Sequence, residues 1–157
     1  MTIQYLKGDA TAPKTQGKKI IVHVCNDIGK WGKGFVLAIS KRWKEPEQVY
    51  KHSFSDVPKP VLGNVQFIRL SDSIIIANII GQHGICSPRN KTALAPIRYD
   101  AVFDGLHQVM DCAIKFDASV HMPRIGCGLA GGTWENIEPL INASLIEKGV
   151  DVFVYDF

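Results

Sequence analysis

Apolar residues gather in short runs, at positions 3–6, 20–24, 65–70, 74–80, 120–122 and 150–155, separated by longer mixed stretches. Several of these runs are apolar throughout instead of alternating. That pattern belongs to strands covered on both faces, as in parallel or mixed sheets packed between helices. The intervening stretches carry helical spacing. Residues 34–43 turn Phe35, Leu37, Ile39 and Trp43 toward one side and end near Lys41, Arg42 and Lys44, where cations favour the helix dipole. A shorter helix is expected at 47–54, with Pro46 at its first position. Over 99–116 the residues Val102, Leu106, Val109, Cys112 or Ala113, and Phe116 recur every three or four positions, which predicts a long amphipathic helix. Residues 133–147 read as another, with Thr133 as N-cap and Gly149 as the stop. Asn136 stands where a capping box has Glu or Gln, so half of that motif is present.

The element order is therefore strand, strand, helix, helix, strand, strand, helix, strand, helix, strand. It predicts a three-layer α/β/α fold around a mixed sheet of about six strands. No repeat or linker divides the chain, so residues 1–157 are read as one domain, with residues 84–96 as a long internal loop.

Composition narrows the function classes. A chain of 157 residues, 46% hydrophobic, can bury a core without staples. Cys25, Cys86, Cys112 and Cys127 are spread singly, with no C-x-x-C spacing, so neither a metal site nor a disulfide framework is expected. No cofactor is expected either. The N-terminal MTIQYLKGD has no leader pattern, and no stretch approaches the roughly 20 apolar residues of a membrane helix. The expectation is a cytoplasmic protein with no membrane partner. Net charge is +3, from 18 basic and 15 acidic residues that are interspersed. This favours anionic ligands slightly and shows no nucleic-acid patch.

Two loops carry the chemistry. Residues 23–34, HVCNDIGKWGKG, leave an apolar strand and enter a helix near Gly34. Glycines before a helix N-terminus offer unpaired backbone N–H groups and the positive end of the dipole, an arrangement suited to phosphate. The spacing of Gly29, Gly32 and Gly34 is neither the dinucleotide fingerprint nor a P-loop. Residues 123–132, PRIGCGLAGG, repeat the arrangement after a different strand, and four of the ten are glycine. Two such loops beyond the carboxyl ends of strands could hold one diphosphate between them.

Four stretches, GDATAP (8–13), HVCNDIGKWGKGF (23–35), PRIGCGLAGGTWENI (123–137) and VYDF (154–157), make nearly the whole chain resemble a macro domain, the ADP-ribose-binding α/β module. The likeness is to its small single-domain branch, which includes ADP-ribose 1''-phosphate phosphatases and terminal ADP-ribose glycohydrolases. The resemblance implies ADP-ribose, or an ADP-ribosylated macromolecule, as partner. It further implies that Asp9 accepts a hydrogen bond from the adenine amine while the Ala10 N–H reaches a ring nitrogen, and that Phe157 lies against the base, with Tyr155 sharing that wall. Asn26 is implied to bond the distal ribose, and Trp31 to wall that sugar. Gly32, Gly34 and Phe35 on one side, and Ile125, Gly126, Cys127, Gly128, Leu129 and Ala130 on the other, are implied to enclose the diphosphate. Cys127 reads as a small filler, since nothing near it in sequence supplies a base.

Hydrolysis at the distal ribose is implied, with ADP-ribose 1''-phosphate as the first substrate considered and His23, Asn26, Asp27 and Gln82 as candidate polar groups. Related glycohydrolases use a lysine after the fourth strand and an aspartate in the second glycine loop. Gly81-Gln82 and Ala130 occupy those positions, so that lysine-adduct route is not expected, with Lys91 the one lysine nearby. A non-catalytic ADP-ribose reader, or a hydrolase acting on ADP-ribosyl esters of protein or nucleic acid, is the alternative.

Overall fold

The structure is a computed structural model that describes residues 2–85 and 94–157. Six strands form one sheet: β1 (Gln4–Lys7), β2 (Lys18–Asn26), β3 (Val65–Arg69), β4 (Ile74–Gln82), β5 (Ala118–Met122) and β6 (Val152–Asp156). Their spatial order is β1-β6-β5-β2-β4-β3. All neighbours run parallel except β3, which pairs antiparallel with β4. The sheet is mixed, as the apolar runs predict.

Alternation along the two longest strands builds two cores. Ile20 and Val22 of β2, with Ile75, Ala77 and Ile79 of β4, face the helices α3 (Tyr99–Phe116) and α4 (Trp134–Ser144), where they meet Val102, Leu106, Ile137 and Ile141. Ile21 and Cys25, with Ile76 and Ile80, face α1 (Phe35–Arg42) and α2 (Glu45–Ser53), where they meet Val36, Ile39 and Tyr50. The three layers follow from this division. Each wholly buried Ile or Leu contributes roughly 1.5–3 kcal/mol of transfer free energy, against the entropy of ordering it.

Differences from the sequence reading lie at element ends. The helix read as starting at 47 begins at Glu45, so Pro46 lies inside its first turn. The helix read across 133–147 stops at Ser144, and a separate 3-10 turn, Ile146–Lys148, is the element that Gly149 closes in the left-handed region, at φ 80°. Thr133 is the N-cap of α4, but its hydroxyl accepts from the Asn136 side chain at 3.0 Å instead of from a backbone N–H. The expected loop over residues 84–96 lies largely outside the described residues, as do Cys86 and Lys91. No helix among the described residues is long and apolar enough to cross a membrane.

Two histidines are buried within this frame. His121 on β5 stacks on Phe153, with ring centres 4.9 Å apart, and places Nδ1 2.8 Å from the Tyr155 hydroxyl and Nε2 2.7 Å from that of Ser119. Desolvation, with help from Lys19, pushes its pKa down to about 4. His23 on β2 is likewise pushed down to about 4 by burial, against an opposing hydrogen bond to Asn78. Both are therefore neutral when folded and near 6.5 when unfolded. The unfolded chain binds protons that the native state refuses, so stability is complete above about pH 6.5 and falls as pH drops toward 4. Urea unfolding at pH 7.5, 5.5 and 4.5 is expected to show a loss of up to about 1.4 kcal/mol per pH unit for each histidine. A flat profile across that window would show that they are not held neutral.

Candidate functional site

The carboxyl ends of β1, β2, β4, β5 and β6 share one edge of the sheet, and the adjacent strands β2 and β5 send their chains to opposite faces. Such a divergence leaves a crevice. The two glycine loops form its walls.

The first loop is shaped by side chains turned inward. Asn26, buried at the end of β2, accepts at Oδ1 from the N–H groups of Ile28 (3.1 Å) and Lys30 (3.2 Å), and its amide donates to the Lys30 carbonyl at 2.5 Å. The Tyr50 hydroxyl stands 2.7 Å from the same Oδ1. Trp31 is also buried, its indole N–H donating to Ser40 Oγ at 2.7 Å and its ring meeting His23 and Tyr50 at 5.5 and 5.4 Å. The loop then reaches Gly34 at φ 87°, a left-handed conformation that favours glycine. Gly34 caps α1 with no side-chain hydrogen bond, and no acidic residue occupies the first turn. Backbone donors at this helix start are left for a ligand or solvent.

The second loop folds into a 3-10 turn at Gly128–Ala130. It is cinched by the Gly132 N–H, which donates to the Gly126 carbonyl at 2.8 Å, and by the Ile97 N–H, which donates to Ala130 at 3.0 Å. A Cβ on Gly132 would stand 2.3 Å from the Gly126 carbonyl oxygen, so the closure requires glycine.

Between the loops lies a cavity of about 340 Å³. Its lining includes His23, Gly34, Phe35 and Gln82, together with residues 123–130. A second cavity, about 330 Å³, is bounded by Asp9, Ala10, Tyr155 and Phe157. Phe35 and Pro123 line both, so the two form one elongated groove. At its second end, partial burial opposes ionisation of Asp9. Hydrogen bonds to Oδ1 from the Thr11 hydroxyl (2.6 Å) and N–H (2.8 Å), with Arg42 at 3.3 Å from Oδ2, nevertheless hold the carboxyl below its ordinary range.

At the other end His23 Nε2 lies 2.5 Å from Asn78 Oδ1. The Asn78 amide nitrogen faces two acceptors, the Pro46 carbonyl and Gln66 Oε1, so Oδ1 accepts and His23 Nε2 carries the proton. Nearby, the Asp27 carboxylate accepts from the Gly84 N–H at 2.8 Å and pairs with His83 Nδ1 at 2.7 Å. Partial burial of Asp27 disfavours its charge, but these partners outweigh it and hold the pKa low.

Known proteins resemble this chain across its length. A macrodomain protein structure from Streptomyces coelicolor superposes with TM-score 0.86 at 48% identity, covering 99% of each chain. An ADP-ribose 1''-phosphate phosphatase of Candida albicans is 32% identical over 146 residues, 87% of this chain and 89% of the relative. The chain belongs to the macro domain family. The mouse chromodomain-helicase-DNA-binding protein 1-like is 31% identical over 166 residues, but the chain spans only 18% of that relative's length. No family model matches the chain.

Relative to the expectations for a macro domain, the structure gathers Asp9, Ala10, His23, Gly34, Phe35, Gln82, residues 125–130 and Phe157 along one groove. Phe157 is fully exposed at its end, while the buried Tyr155 supplies the firmer wall. Asn26, Asp27, Trp31 and Gly32 are not among the lining residues. Trp31, expected to wall a sugar, is instead a pillar beneath the first loop, because its indole finds a partner in Ser40 within the core. The Asn26 carboxamide, expected to aim at a ribose, is engaged on both its atoms by the loop. Desolvation pushes the Cys127 thiol up, which keeps it protonated and fits a filler. Sequence reasoning passed over Lys33, Arg124 and His83. Lys33 stands between Gly32 and Gly34, Arg124 lies in the second glycine loop two residues before Gly126, and His83 is marked only by its pairing with a residue 56 positions away.

Asn26→Ala is expected to lose roughly 1–3 kcal/mol of stability in urea unfolding, because it strips the acceptor from the Ile28 and Lys30 N–H groups and the donor from the Lys30 carbonyl. Gly132→Ala should cost about 1–3 kcal/mol by forcing the second loop apart, measured the same way.

Proposed function

We propose that this macro domain binds ADP-ribose in the groove and hydrolyses a derivative at the distal ribose, most directly ADP-ribose 1''-phosphate to ADP-ribose and phosphate. The observation that carries the reading is the pair of glycine loops facing across one groove, with a carboxylate acceptor at one end and polar groups at the other. Asp9 can accept from an adenine amine, and the uncapped start of α1 and the 3-10 turn offer backbone donors toward a diphosphate. His23 and Gln82 then lie by the distal ribose. The name of the Candida albicans relative supports the same substrate.

In this reading a water attacks phosphorus, a P–O bond forms, and the bond from phosphorus to the ribose 1''-oxygen breaks. His23 is a poor base for that step, because burial pushes its pKa down to about 4 and makes it a weak proton acceptor. The Asp27 and His83 pair, outside the lining itself but joined to it in the chain through Gln82, is the better candidate. A carboxylate can only accept, so His83 Nδ1 donates to it and leaves the Nε2 lone pair free on an exposed side chain next to Gln82. His83 takes the water's proton and returns it to the departing ribose oxygen. Positioning beside the diphosphate supplies the rest of the acceleration.

A second reading, a reader that binds ADP-ribose without chemistry, is favoured by Gly81 and Ala130 at the positions where related glycohydrolases carry lysine and aspartate. The same groove would equally present ADP-ribosyl esters of protein or nucleic acid. Incubation with ADP-ribose 1''-phosphate is expected to release phosphate well above the blank. His83→Gln and Asp27→Asn should each lower kcat by about 10²-fold or more while ADP-ribose affinity by calorimetry stays within about twofold. Tight ADP-ribose binding with no turnover of any ADP-ribosyl ester would establish the reader instead.

A further inference from the structure

The cavity between the glycine loops has a charge pattern that backbone geometry does not require. Among the described residues that line it none is acidic, and two, Lys33 and Arg124, are cations. They come from opposite walls. Lys33 precedes Gly34 at the start of α1, and Arg124 follows Pro123 at the start of the second loop.

Arg124 is held in place from several sides. Its Nε and Nη2 donate to the two carboxylate oxygens of Asp156 at 2.7 and 3.0 Å. Its guanidinium carbon lies 5.2 Å from the Tyr5 ring centre and 5.1 Å from that of Trp134, so rings from β1 and α4 flank it. Tyr5 and Trp134 are themselves tied together, the indole N–H donating to the Tyr5 oxygen at 2.9 Å and Glu138 accepting from both. With Nε and Nη2 engaged, the remaining Nη1 edge makes no hydrogen bond among the described residues. A guanidinium fixed in this way loses little conformational freedom when it meets an anion, and its planar fork suits phosphate oxygens. Lys33 is exposed, a mobile point charge.

We propose that Arg124 and Lys33 form a cation pair across the groove that selects for the charge of the bound diphosphate, so that the site discriminates nucleoside diphosphate sugars from uncharged nucleosides. The proposal rests on the ADP-ribose reading and names what determines specificity within it. Backbone N–H groups orient phosphate oxygens but carry only partial charges, whereas Lys33 brings a full charge and Arg124, its own charge shared with Asp156, adds a charge-assisted donor edge. Asp156 serves to aim the arginine. Its carboxylate faces the opposite edge of the guanidinium from Nη1.

The test is calorimetry of ADP-ribose, with adenosine as the uncharged probe, at 50 and 300 mM NaCl on the intact chain. Lys33→Gln and Arg124→Gln are each expected to weaken ADP-ribose about 5–10-fold at low salt and to flatten its salt dependence, with adenosine affinity unchanged within about twofold. Arg124→Lys should restore the salt dependence but only part of the affinity, since it keeps the charge and loses the fork. Equal ADP-ribose affinity with an unaltered salt slope in both glutamine variants, while the parent chain binds, overturns the cation pair and leaves the ADP-ribose reading standing. Failure of the parent chain to bind ADP-ribose overturns that reading itself. Should Arg124→Gln unfold, Lys33→Gln at its exposed loop position still decides between these outcomes.

Discussion

Burial of β2 and β4 on both faces is the constraint from which the rest of the structure descends. Strands with apolar side chains on both faces must be covered above and below, and parallel pairing then lines up their carboxyl ends along one edge. Because β2 feeds a helix on one face and its neighbour β5 feeds a helix on the other, the chain parts there and cannot close over the gap. The groove is a consequence of how the hydrophobic residues are satisfied. Its position would survive many substitutions within it.

The walls of that groove divide their work between side chain and backbone. Asn26 and Trp31 are polar or amphipathic residues in a loop that collects functional-looking side chains, yet they face inward and hold the loop's shape. Asp27 likewise reaches sideways, to the segment after β4. What these residues leave facing the groove is mostly main chain, at Gly34 and along residues 125–130, with Phe35, Lys33 and Arg124 around it. A surface of that kind is stiff, and its donors are already oriented. Such preorganisation is what a site needs if it is to bind a flexible diphosphate without losing the gain to reordering.

The positions of strands and helices were legible because periodicity is local and both core-facing sets repeat at short range, as Val102, Leu106 and Val109 do along α3. Element ends were less so. The split of the last helix into α4 and a 3-10 turn depends on how Leu145 is drawn into the core, a contact no sequence window contains. The glycine loops were legible too, since glycine in left-handed backbone before a helix leaves a mark in composition. Which side chains in those loops face the groove was not legible, because Asn26, Asp27 and Trp31 each choose a partner supplied by another element.

By itself, then, the amino-acid order determined the three-layer architecture and the two loops that bound the groove, which rest on spacing within single segments, and the macro domain likeness, which rests on resemblance over four short stretches. Tertiary structure alone decided that Trp31 is a pillar, that His23 is neutral and committed to Asn78, that Asp27 meets His83, and that Arg124 is braced by Tyr5, Trp134 and Asp156. Each of those outcomes depends on a partner supplied by another element, and for His23, Asp27 and Arg124 that partner is far away in sequence and brought close by the order of strands in the sheet.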